Sequence, residues 1–361
     1  MASALWSGTH MEQRQFGQSG LSVSVLSFGT MTVGGRDRFG KMGNLDAADT
    51  SRMLGLCREA GVTTLDTADV YSFGAAEEIL GEALQGQRDD FVLVTKGYMR
   101  MGQGPHDVGL SRTHIMRACE ASLRRLRTDY LDLYICHQPD RLVTVDETMR
   151  AFDDLVRQGK VRYVGCSNYS GWQMTKALGL SDRLGYQRFV SEQVYYSLQA
   201  RDIEYEIVPA ALDQGVGILV WSPLAGGLLS GKYRRDREAP AGSRHLTDWD
   251  EPPVRDEEGL YDIIEALVEI GEAHDVSAAQ VALAWTLGRP GISSAIVGAR
   301  TEEQLADNLR AAELELGAEE RARLDELSAP PLLYPFWHQA RTASDRLAPA
   351  DLTLLGPHVS G

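Results

Sequence analysis

The sequence predicts a single closed barrel of eight parallel strands, each followed by a helix. Short runs rich in β-branched and aromatic residues alternate with longer segments of helical periodicity. Eight such runs occur, at 25–31, 63–69, 91–97, 131–137, 162–168, 189–196, 217–223 and 293–299. Polar residues suited to chemistry stand at the ends of several runs, where a parallel barrel brings them to one mouth. Eight repeats in one chain favour a closed (β/α)8 TIM barrel over an open sheet.

The segments between the strands carry the signals of helices. Asp46 is placed to cap a helix that ends at Gly61, and Ser111 begins another. Further helices are predicted at 145–159, 201–215, 257–274, 277–287 and 302–316. Apolar residues recur on one side of these segments, which is typical of helices that pack against a sheet.

Two segments do not fit the repeat. Residues 232–256 are rich in charge, proline and glycine, and loops of that length are usually functional lids or disordered. The tail at 331–361 contains Tyr334, Phe336 and Trp337, which either pack over the barrel mouth or anchor the tail on the surface. We therefore assign the barrel to residues 11–330.

Charge and hydrophobicity exclude several classes of partner. The 361 residues include 36 basic and 51 acidic side chains, for a formal charge of −15, which disfavours nucleic acid and anionic membranes. No apolar run is long enough to span a bilayer. The N-terminus lacks the pattern of a secretory signal, and residues 1–10 are predicted to be a vector-derived leader before a native start at Met11.

The four cysteines indicate a reducing compartment. Cys57, Cys119, Cys136 and Cys166 form no CxxC pair. Buried thiols in a cytoplasmic protein are the simplest interpretation, and neither a zinc site nor another metal site is indicated.

Four residues near the ends of successive strands have the composition of a proton-transfer site. They are Asp66, Tyr71, Lys96 and His137. Taken alone, Asp66 would cap a turn and Tyr71 would pack on the rim. Lys96 ends the apolar run FVLVTK, where a cation is costly without a partner such as Asp66. We expect the ammonium to lower the pKa of Tyr71 from about 10 and to make it a proton donor at neutral pH.

The later strands end in groups suited to recognition. A lone histidine is usually just a satisfied polar group, but beside the other three we predict a functional role for His137 in binding a substrate oxygen or tuning proton transfer. Ser167, Asn168 and Gln193 offer hydroxyl and amide groups that suit a carboxamide. Trp221 either stacks on a flat ring or packs in the core.

Two later segments suggest phosphate binding. Residues 226–232, GGLLSGK, have phosphate-loop spacing, but Tyr233 follows where Ser or Thr would hold magnesium, which disfavours a nucleoside triphosphatase. Backbone amides and Lys232 still suit a pyrophosphate. Gly298, Arg300 and Gln304 lie at the opening of a predicted helix, a habitual phosphate position in this architecture. No GxGxxG follows a strand, so a Rossmann domain is not supported.

From about Phe16 to Leu327, the chain resembles the aldo-keto reductases. Five stretches carry the likeness in family order: GLSVSVLSFGTM, DTADVYSFG, GKVRYVGCSNYS, WSPLAGGLLSGKY and VGARTEEQLADNL. The resemblance implies an NADPH-binding (β/α)8 barrel, an N-terminal β-hairpin that closes its floor, and a catalytic tetrad of Asp66, Tyr71, Lys96 and His137. The channel-associated β subunits and bacterial sugar-ketone reductases look like the nearest branches.

The resemblance also implies a set of cofactor-binding residues. They are Thr30, Met31, Asp66, Ser167, Asn168, Gln193, Trp221, Ser222, Pro223, Leu224, Gly226, Lys232, Arg244, Gly298, Arg300, Gln304 and Asn308. Many family members carry a basic side chain at the position of Gln304. Its absence leaves Arg300, with Arg244, to select the 2′-phosphate, so NADPH/NADP+ is favoured over NADH.

The expected activity is reduction of an aldehyde or ketone, such as a keto-sugar or an aromatic carbonyl, or the reverse oxidation of an alcohol. Two alternatives remain open: a non-catalytic NADPH sensor or regulatory subunit, and a Schiff-base enzyme that uses Lys96. Channel subunits carry asparagine in place of the tetrad histidine, so His137 favours turnover over sensing. The expected partner is a small carbonyl or alcohol, and the sequence is compatible with a homo-oligomer.

Overall fold

The computed structural model describes residues 11–236, 238–240, 243, 245, 251–342 and 344–359. The predicted leader at 1–10 and the predicted cofactor residue Arg244 lie outside the described residues.

Eight parallel strands close into a barrel, which confirms the predicted fold class. They are β3 (Leu26–Gly29), β4 (Thr64–Asp66), β5 (Val92–Gly97), β6 (Leu131–Cys136), β7 (Val161–Ser167), β8 (Phe189–Tyr195), β9 (Gly217–Trp221) and β10 (Ile292–Val297). The strands neighbour one another in chain order, and β10 pairs with β3 to close the sheet. The carboxyl ends of all eight therefore share one mouth.

An antiparallel hairpin seals the opposite end of the barrel, as the resemblance implied. Its strands are β1 (Gln13–Gln15) and β2 (Ser22–Ser24). Phe16 and Leu21, which lie between them, pack into the barrel interior beside Leu133 and Leu219. Gly17 has a φ of +53°, and a Cβ there would lie 2.1 Å from a backbone oxygen, so only glycine fits this contact.

The helices cover the outside of the barrel. They are α1 (Ala47–Glu59), α2 (Ala75–Ala83), α3 (Arg112–Leu126), α4 (Val145–Arg157), α5 (Gly171–Leu184), α6 (Ile207–Gln214), α7 (Glu257–His274), α8 (Ala278–Leu287), α9 (Glu302–Leu309), α10 (Ala318–Leu327), α11 (Phe336–Thr342) and α12 (Leu352–Leu355). Asp46 caps α1 in a capping box with Asp49, and Ser111 caps α3, as predicted.

Several helices differ from the sequence prediction. The helix predicted at 201–215 begins only at Ile207, because Pro209 lacks an N–H and fits only the first turn. The segment before it is held by a buried ion pair of 2.8 Å between Arg201 and Glu204. The helix predicted at 302–316 ends at Leu309 and continues as a short 3-10 turn. Helices α2, α5, α10, α11 and α12 were not predicted from periodicity.

The C-terminal tail packs against the connection between β8 and α6. The ring of Phe336 lies 5.4 Å from that of Tyr205, whose hydroxyl donates to the carbonyl of Pro331. Trp337 makes its ring contacts with Tyr334 and His338 of the tail itself. Among the described helices, none has the length and apolar character needed to cross a membrane.

Candidate active site

The fold brings the four predicted catalytic residues together at the barrel mouth. Asp66 ends β4, Lys96 lies near the end of β5, and His137 directly follows β6. Tyr71 begins a 3-10 turn after β4. The Lys96 Nζ atom lies 2.7 Å from Asp66 Oδ2 and 3.2 Å from the Tyr71 hydroxyl. The ring of His137 is 6.1 Å from that of Tyr71, nearly perpendicular to it.

Lys96 and Asp66 form a buried ion pair whose remaining hydrogen-bonding groups are partnered. The Lys96 side chain is fully buried, and its ammonium also donates to the Thr67 carbonyl at 2.8 Å. Gln193 donates from Nε2 to Asp66 Oδ1 at 2.8 Å. Thr30 donates from its backbone nitrogen and its hydroxyl to the Asp66 carbonyl. A buried pair is stable only when such additional hydrogen bonds are made, so Gln193 is a structural partner of the tetrad.

The charges at the site differ from the sequence prediction in one respect. Burial opposes a charge on Lys96, but Asp66 and then Tyr71 raise its pKa, so the ammonium is retained. Burial raises the pKa of Tyr71, and the opposing effect of Lys96 does not reverse this. The predicted lowering of the Tyr71 pKa was therefore wrong, because the depth of burial cannot be read from the sequence. Tyr71 is a neutral phenol, which is the form that donates a proton.

His137 is a neutral imidazole. Burial and then Lys96 lower its pKa well below the usual value, because both disfavour a second positive charge. Its Nδ1 atom is buried and has no hydrogen-bond partner among the described residues. Its backbone carbonyl accepts from Asn168 Nδ2 at 3.1 Å, which ties the histidine to the end of β7. A neutral imidazole still carries one N–H that suits a carbonyl oxygen.

The turn that carries Tyr71 has an unusual backbone. Ser72 and Phe73 have φ values of +49° and +51°, and Gly74 follows at +91°. The Ser72 hydroxyl donates to the Val33 carbonyl at 2.8 Å, which fixes the turn against the loop after β3. Non-glycine residues in the left-handed region persist only where the surroundings enforce them, and they concentrate at functional sites.

The residues predicted to hold a carboxamide form a connected set beside the tetrad. Ser167 donates from Oγ to the Gln193 carbonyl at 2.8 Å. Trp221 donates from Nε1 to Asn168 Oδ1 at 3.2 Å, and its ring lies 5.0 Å from that of Tyr195. Asn168 is exposed, and Trp221 is half-buried. The indole therefore packs on the barrel and retains some exposed surface at the mouth.

The loop after β9 has a backbone that suits an anion. Ser222, Gly226 and Gly227 all have positive φ, and Gly226 donates to the Ser222 hydroxyl at 3.0 Å. A Cβ at Gly227 would lie 3.1 Å from Lys232 Nζ, so the ammonium lies next to Gly227. In this loop Pro223 is buried, while Leu224 is half-buried. Successive turns of this kind, close to a cation, are typical of phosphate sites.

The opening of α9 offers a second anion position. Gln304 accepts at Oε1 from the Arg300 backbone nitrogen at 3.0 Å, so its amide is engaged with the loop. Arg300 and Gly298 are exposed, whereas Asn308 is buried on α9. A cavity of about 230 Å³ here is lined by residues that include Arg300 and Arg52. Arg52 was not predicted as a site residue; its Nε atom donates to Glu302 Oε1 at 2.6 Å, although the two residues are 250 positions apart in the sequence.

These groups fit an extended dinucleotide. Four kinds of group follow one another at the ends of β7, β8, β9 and β10. They are amide and hydroxyl donors, a half-buried indole, a glycine loop with a lysine, and a helix N-terminus with an arginine. Those strands are neighbours in the barrel, and β8 supplies Gln193, which touches Asp66. A ligand bound along this row would end beside Tyr71. Met31, the remaining predicted cofactor residue, is half-buried in an apolar cluster near Tyr71.

A larger groove lies elsewhere on the surface and lacks this chemistry. Its volume is about 500 Å³, and it lies between α4 and α5, with Pro139, Trp172 and Lys176 in its lining. Its charged residues are exposed or half-buried, whereas Asp66 and Lys96 are fully enclosed. Buried, mutually interacting titratable groups are the stronger sign of catalysis.

Comparison with known proteins identifies the family of the chain. The aldo/keto reductase family matches residues 25–329. The chain is 37% identical over 311 residues to a probable voltage-gated potassium channel subunit beta of Arabidopsis thaliana, covering 84% of this chain and 92% of that protein. It is 38% identical over 334 residues to the uncharacterized oxidoreductase YrpG of Bacillus subtilis (strain 168), covering 89% and 97%. It is 34% identical over 349 residues to a versiconal hemiacetal acetate reductase of Aspergillus parasiticus, covering 90% and 99%. The chain therefore belongs to the aldo-keto reductase family of oxidoreductases.

Proposed function

We propose that the protein is an NADPH-dependent reductase of aldehydes or ketones, which also catalyses the reverse oxidation of the alcohol. The observation that carries the proposal is the contact of 3.2 Å between the Tyr71 hydroxyl and the buried ammonium of Lys96, beside a neutral His137. This arrangement joins a proton donor to a fixed positive charge at the point where an oxyanion would develop.

Each residue of the site has a distinct part in the reaction. When bound, NADPH supplies the hydride that reduces the carbonyl carbon, and NADP+ is left. The Tyr71 hydroxyl gives its proton to the carbonyl oxygen as the C=O bond becomes C–O. Lys96, held in place by Asp66, stabilises the phenolate that remains. The N–H of His137 suits a hydrogen bond to the same oxygen and orients it.

The preference for NADPH over NADH is part of this proposal. Arg300 at the opening of α9 and Lys232 in the loop after β9 support it, because both bring positive charge to the row of nucleotide-binding groups. The predicted contribution of Arg244 lies outside the described residues.

The two alternative functions receive different support. The relatives named as probable voltage-gated potassium channel β subunits are compatible with a regulatory role in which the protein binds NADPH. A Schiff-base mechanism is disfavoured, because Asp66 and Tyr71 keep the pKa of Lys96 raised despite its burial, and a protonated amine is not a nucleophile.

A cytoplasmic location stays a prediction, as does the assembly state. The four cysteines Cys57, Cys119, Cys136 and Cys166 are free and buried, which supports a reducing compartment.

The substitution Tyr71→Phe tests the reductase directly. We expect steady-state carbonyl reduction to fall by about 10²- to 10⁴-fold, because the proton donor is removed. The affinity for NADPH, followed by fluorescence quenching, should change little. Tyr130→Phe is the matched control, because the Tyr130 hydroxyl donates to Asp89 at the protein surface.

Two results would count against the proposal. Turnover in Tyr71→Phe equal to that of the unaltered chain would remove Tyr71 from the chemistry. Bound NADPH that is oxidised once, without a steady state on any carbonyl of a broad panel, would favour the regulatory role.

A further inference from the structure

A buried carboxylate joins the two parts of the chain that carry Tyr71 and Lys96. Glu77 lies in the first turn of α2, shortly after the Tyr71–Gly74 turn, and its side chain is fully buried. Its Oε1 atom accepts from the hydroxyl of Thr95 at 2.6 Å, and Thr95 directly precedes Lys96 on β5. The carboxylate of Glu77 therefore ties α2 to the strand that supplies the ammonium.

Arg125 on α3 supplies the countercharge for this carboxylate. Its Nε atom donates to Glu77 Oε2 at 2.7 Å, and its Nη2 atom donates to the Ser122 hydroxyl at 3.2 Å. A buried carboxylate is costly unless it is both paired and hydrogen-bonded. Both oxygens of Glu77 are hydrogen-bonded, so the carboxylate is held in one position.

The same arginine packs against the turn that carries Tyr71. Gly74 ends this turn with a φ of +91°, and a Cβ there would lie 2.9 Å from Arg125 Cδ. A Cβ at Gly81 on α2 would lie 2.5 Å from the Arg125 carbonyl oxygen, so α2 and the end of α3 are in direct contact. The turn is thus fixed at its end by Arg125 and in its middle by the hydrogen bond of Ser72 to the loop after β3.

We propose that Glu77 is a positioning residue, which holds Tyr71 at the distance from Lys96 that proton transfer requires. Tyr71 and Lys96 belong to different elements, so their contact of 3.2 Å depends on how the turn and α2 lie against β5. A displacement of about 1 Å at a reacting group can lower a rate about 100-fold. The inference rests on the proposed carbonyl reduction and adds the residues that control its geometry from outside the tetrad.

The substitution Arg125→Met tests this role, because it removes the cation and keeps a long side chain. The rate constant for a single turnover of bound NADPH is measured with the fastest carbonyl of a panel that includes benzaldehyde and butanone. We expect this rate constant to fall about tenfold, whereas the affinity for NADPH should not change. The ratio of the rate constants in ordinary and heavy water should increase, because proton transfer becomes more limiting.

Arg88→Met is the matched control at the opposite end of the barrel. Arg88 lies 2.7 Å from Asp132, the distance that also separates Arg125 from Glu77. The two arginine side chains are similarly enclosed, at 15% and 20% exposed. Both substitutions should lower the urea midpoint of unfolding, because each leaves a carboxylate without its partner. Only Arg125→Met should change the rate constant and the isotope ratio.

Two further variants keep the test decisive if Arg125→Met does not fold. Arg125→Lys retains a cation beside Glu77, so its rate constant should stay close to that of the unaltered chain. Thr95→Val keeps the branched shape of the side chain and removes one hydrogen bond to Glu77. We expect it to lower the rate constant about threefold and to raise the isotope ratio.

The outcomes separate this inference from the proposed function. Rate constants and isotope ratios in Arg125→Met and Thr95→Val equal to those of the unaltered chain would overturn the positioning role and leave carbonyl reduction intact. Equal losses in Arg125→Met and Arg88→Met would also overturn it, because the effect would then be one of stability alone. Failure of the unaltered chain on every carbonyl of the panel would remove the reductase function, and this inference with it.

Discussion

The two halves of the barrel mouth are constructed differently. At the ends of β4, β5 and β6, the reacting groups belong to strands or to the turn that directly follows, and Lys96 and Asp66 are buried and fully hydrogen-bonded. At the ends of β9 and β10, the groups suited to phosphate belong to loops and a helix opening, and Arg300 is exposed. On the proposed function, proton transfer, which depends on ångström-scale geometry, would lie on the rigid part built from strands and tight turns. Recognition of the long dinucleotide would lie on the loops, which tolerate more variation.

The largest effect should come from removing the buried positive charge of Lys96. Lys96→Met removes the cation and leaves Asp66 without its partner inside the protein. We expect turnover to fall at least about 100-fold, because the phenolate loses its stabilising charge. The free energy of unfolding should fall by about 3–5 kcal/mol, the usual cost of breaking a buried pair. Steady-state kinetics and urea denaturation measure the two effects.

A surface ion pair of the same length provides the control for Lys96. Lys160 lies 2.7 Å from Glu120, the distance that also separates Lys96 from Asp66. Lys160→Met should leave activity and stability nearly unchanged, because exposed pairs contribute little. Equal destabilisation by the two substitutions would contradict the distinction drawn between buried and exposed charge.

A smaller effect is expected from a substitution at the opening of α9, after β10. Arg300→Ala should weaken NADPH binding about tenfold, which is the loss of one charge-assisted hydrogen bond, and should leave NADH binding nearly unchanged. Titration of cofactor fluorescence measures both affinities, and Arg310→Ala, at an exposed position just after α9, is the matched control. A parallel loss of NADH affinity would mean that Arg300 does not read the 2′-phosphate.

The last prediction concerns stability alone, at a strand residue that faces away from the chemistry. Glu192 on β8 is fully buried, accepts hydrogen bonds from Cys166 Sγ and the Tyr169 backbone nitrogen, and burial raises its pKa to about 8. A carboxyl with a raised pKa binds its proton more tightly in the folded chain than in the unfolded chain. Its contribution to stability is therefore fully present below its ordinary pKa of 4.5 and is lost as the pH rises towards about 8.

The substitution Glu192→Gln removes this titration and keeps one acceptor oxygen, while the new NH2 group can only donate. The free energy of unfolding of the unaltered chain should fall relative to that of Glu192→Gln between about pH 5 and pH 8. Chemical denaturation across that range measures the difference, and Glu59→Gln on the exposed side of α1 is the control. A constant difference between the unaltered chain and Glu192→Gln would show that Glu192 is ionised throughout.

The half of the mouth at the ends of β4, β5 and β6 is also the part that could be predicted from the sequence. Alternation of strand and helix patterns located all eight strands, and the ends of those strands then located Asp66, Lys96 and His137. Properties that depend on burial, or on contacts between residues distant in the sequence, could not be predicted from the sequence. The raised pKa of Tyr71 follows from burial, and the contact between Arg52 and Glu302 joins helices α1 and α9, which are distant in the sequence. The packing of Phe39 against Tyr71 was not predicted, because the loops after β3 and β4 had to fold before the two rings could meet.

The hairpin at the barrel floor limits how ligands and protons can enter and leave the site. Phe16 and Leu21 fill the interior below the tetrad together with strand residues such as Leu133. Within the described part of the chain, the site is thus blind-ended, and the mouth serves as both entrance and exit. In the proposed reduction, the proton that restores Tyr71 would therefore enter through the same opening by which the alcohol leaves.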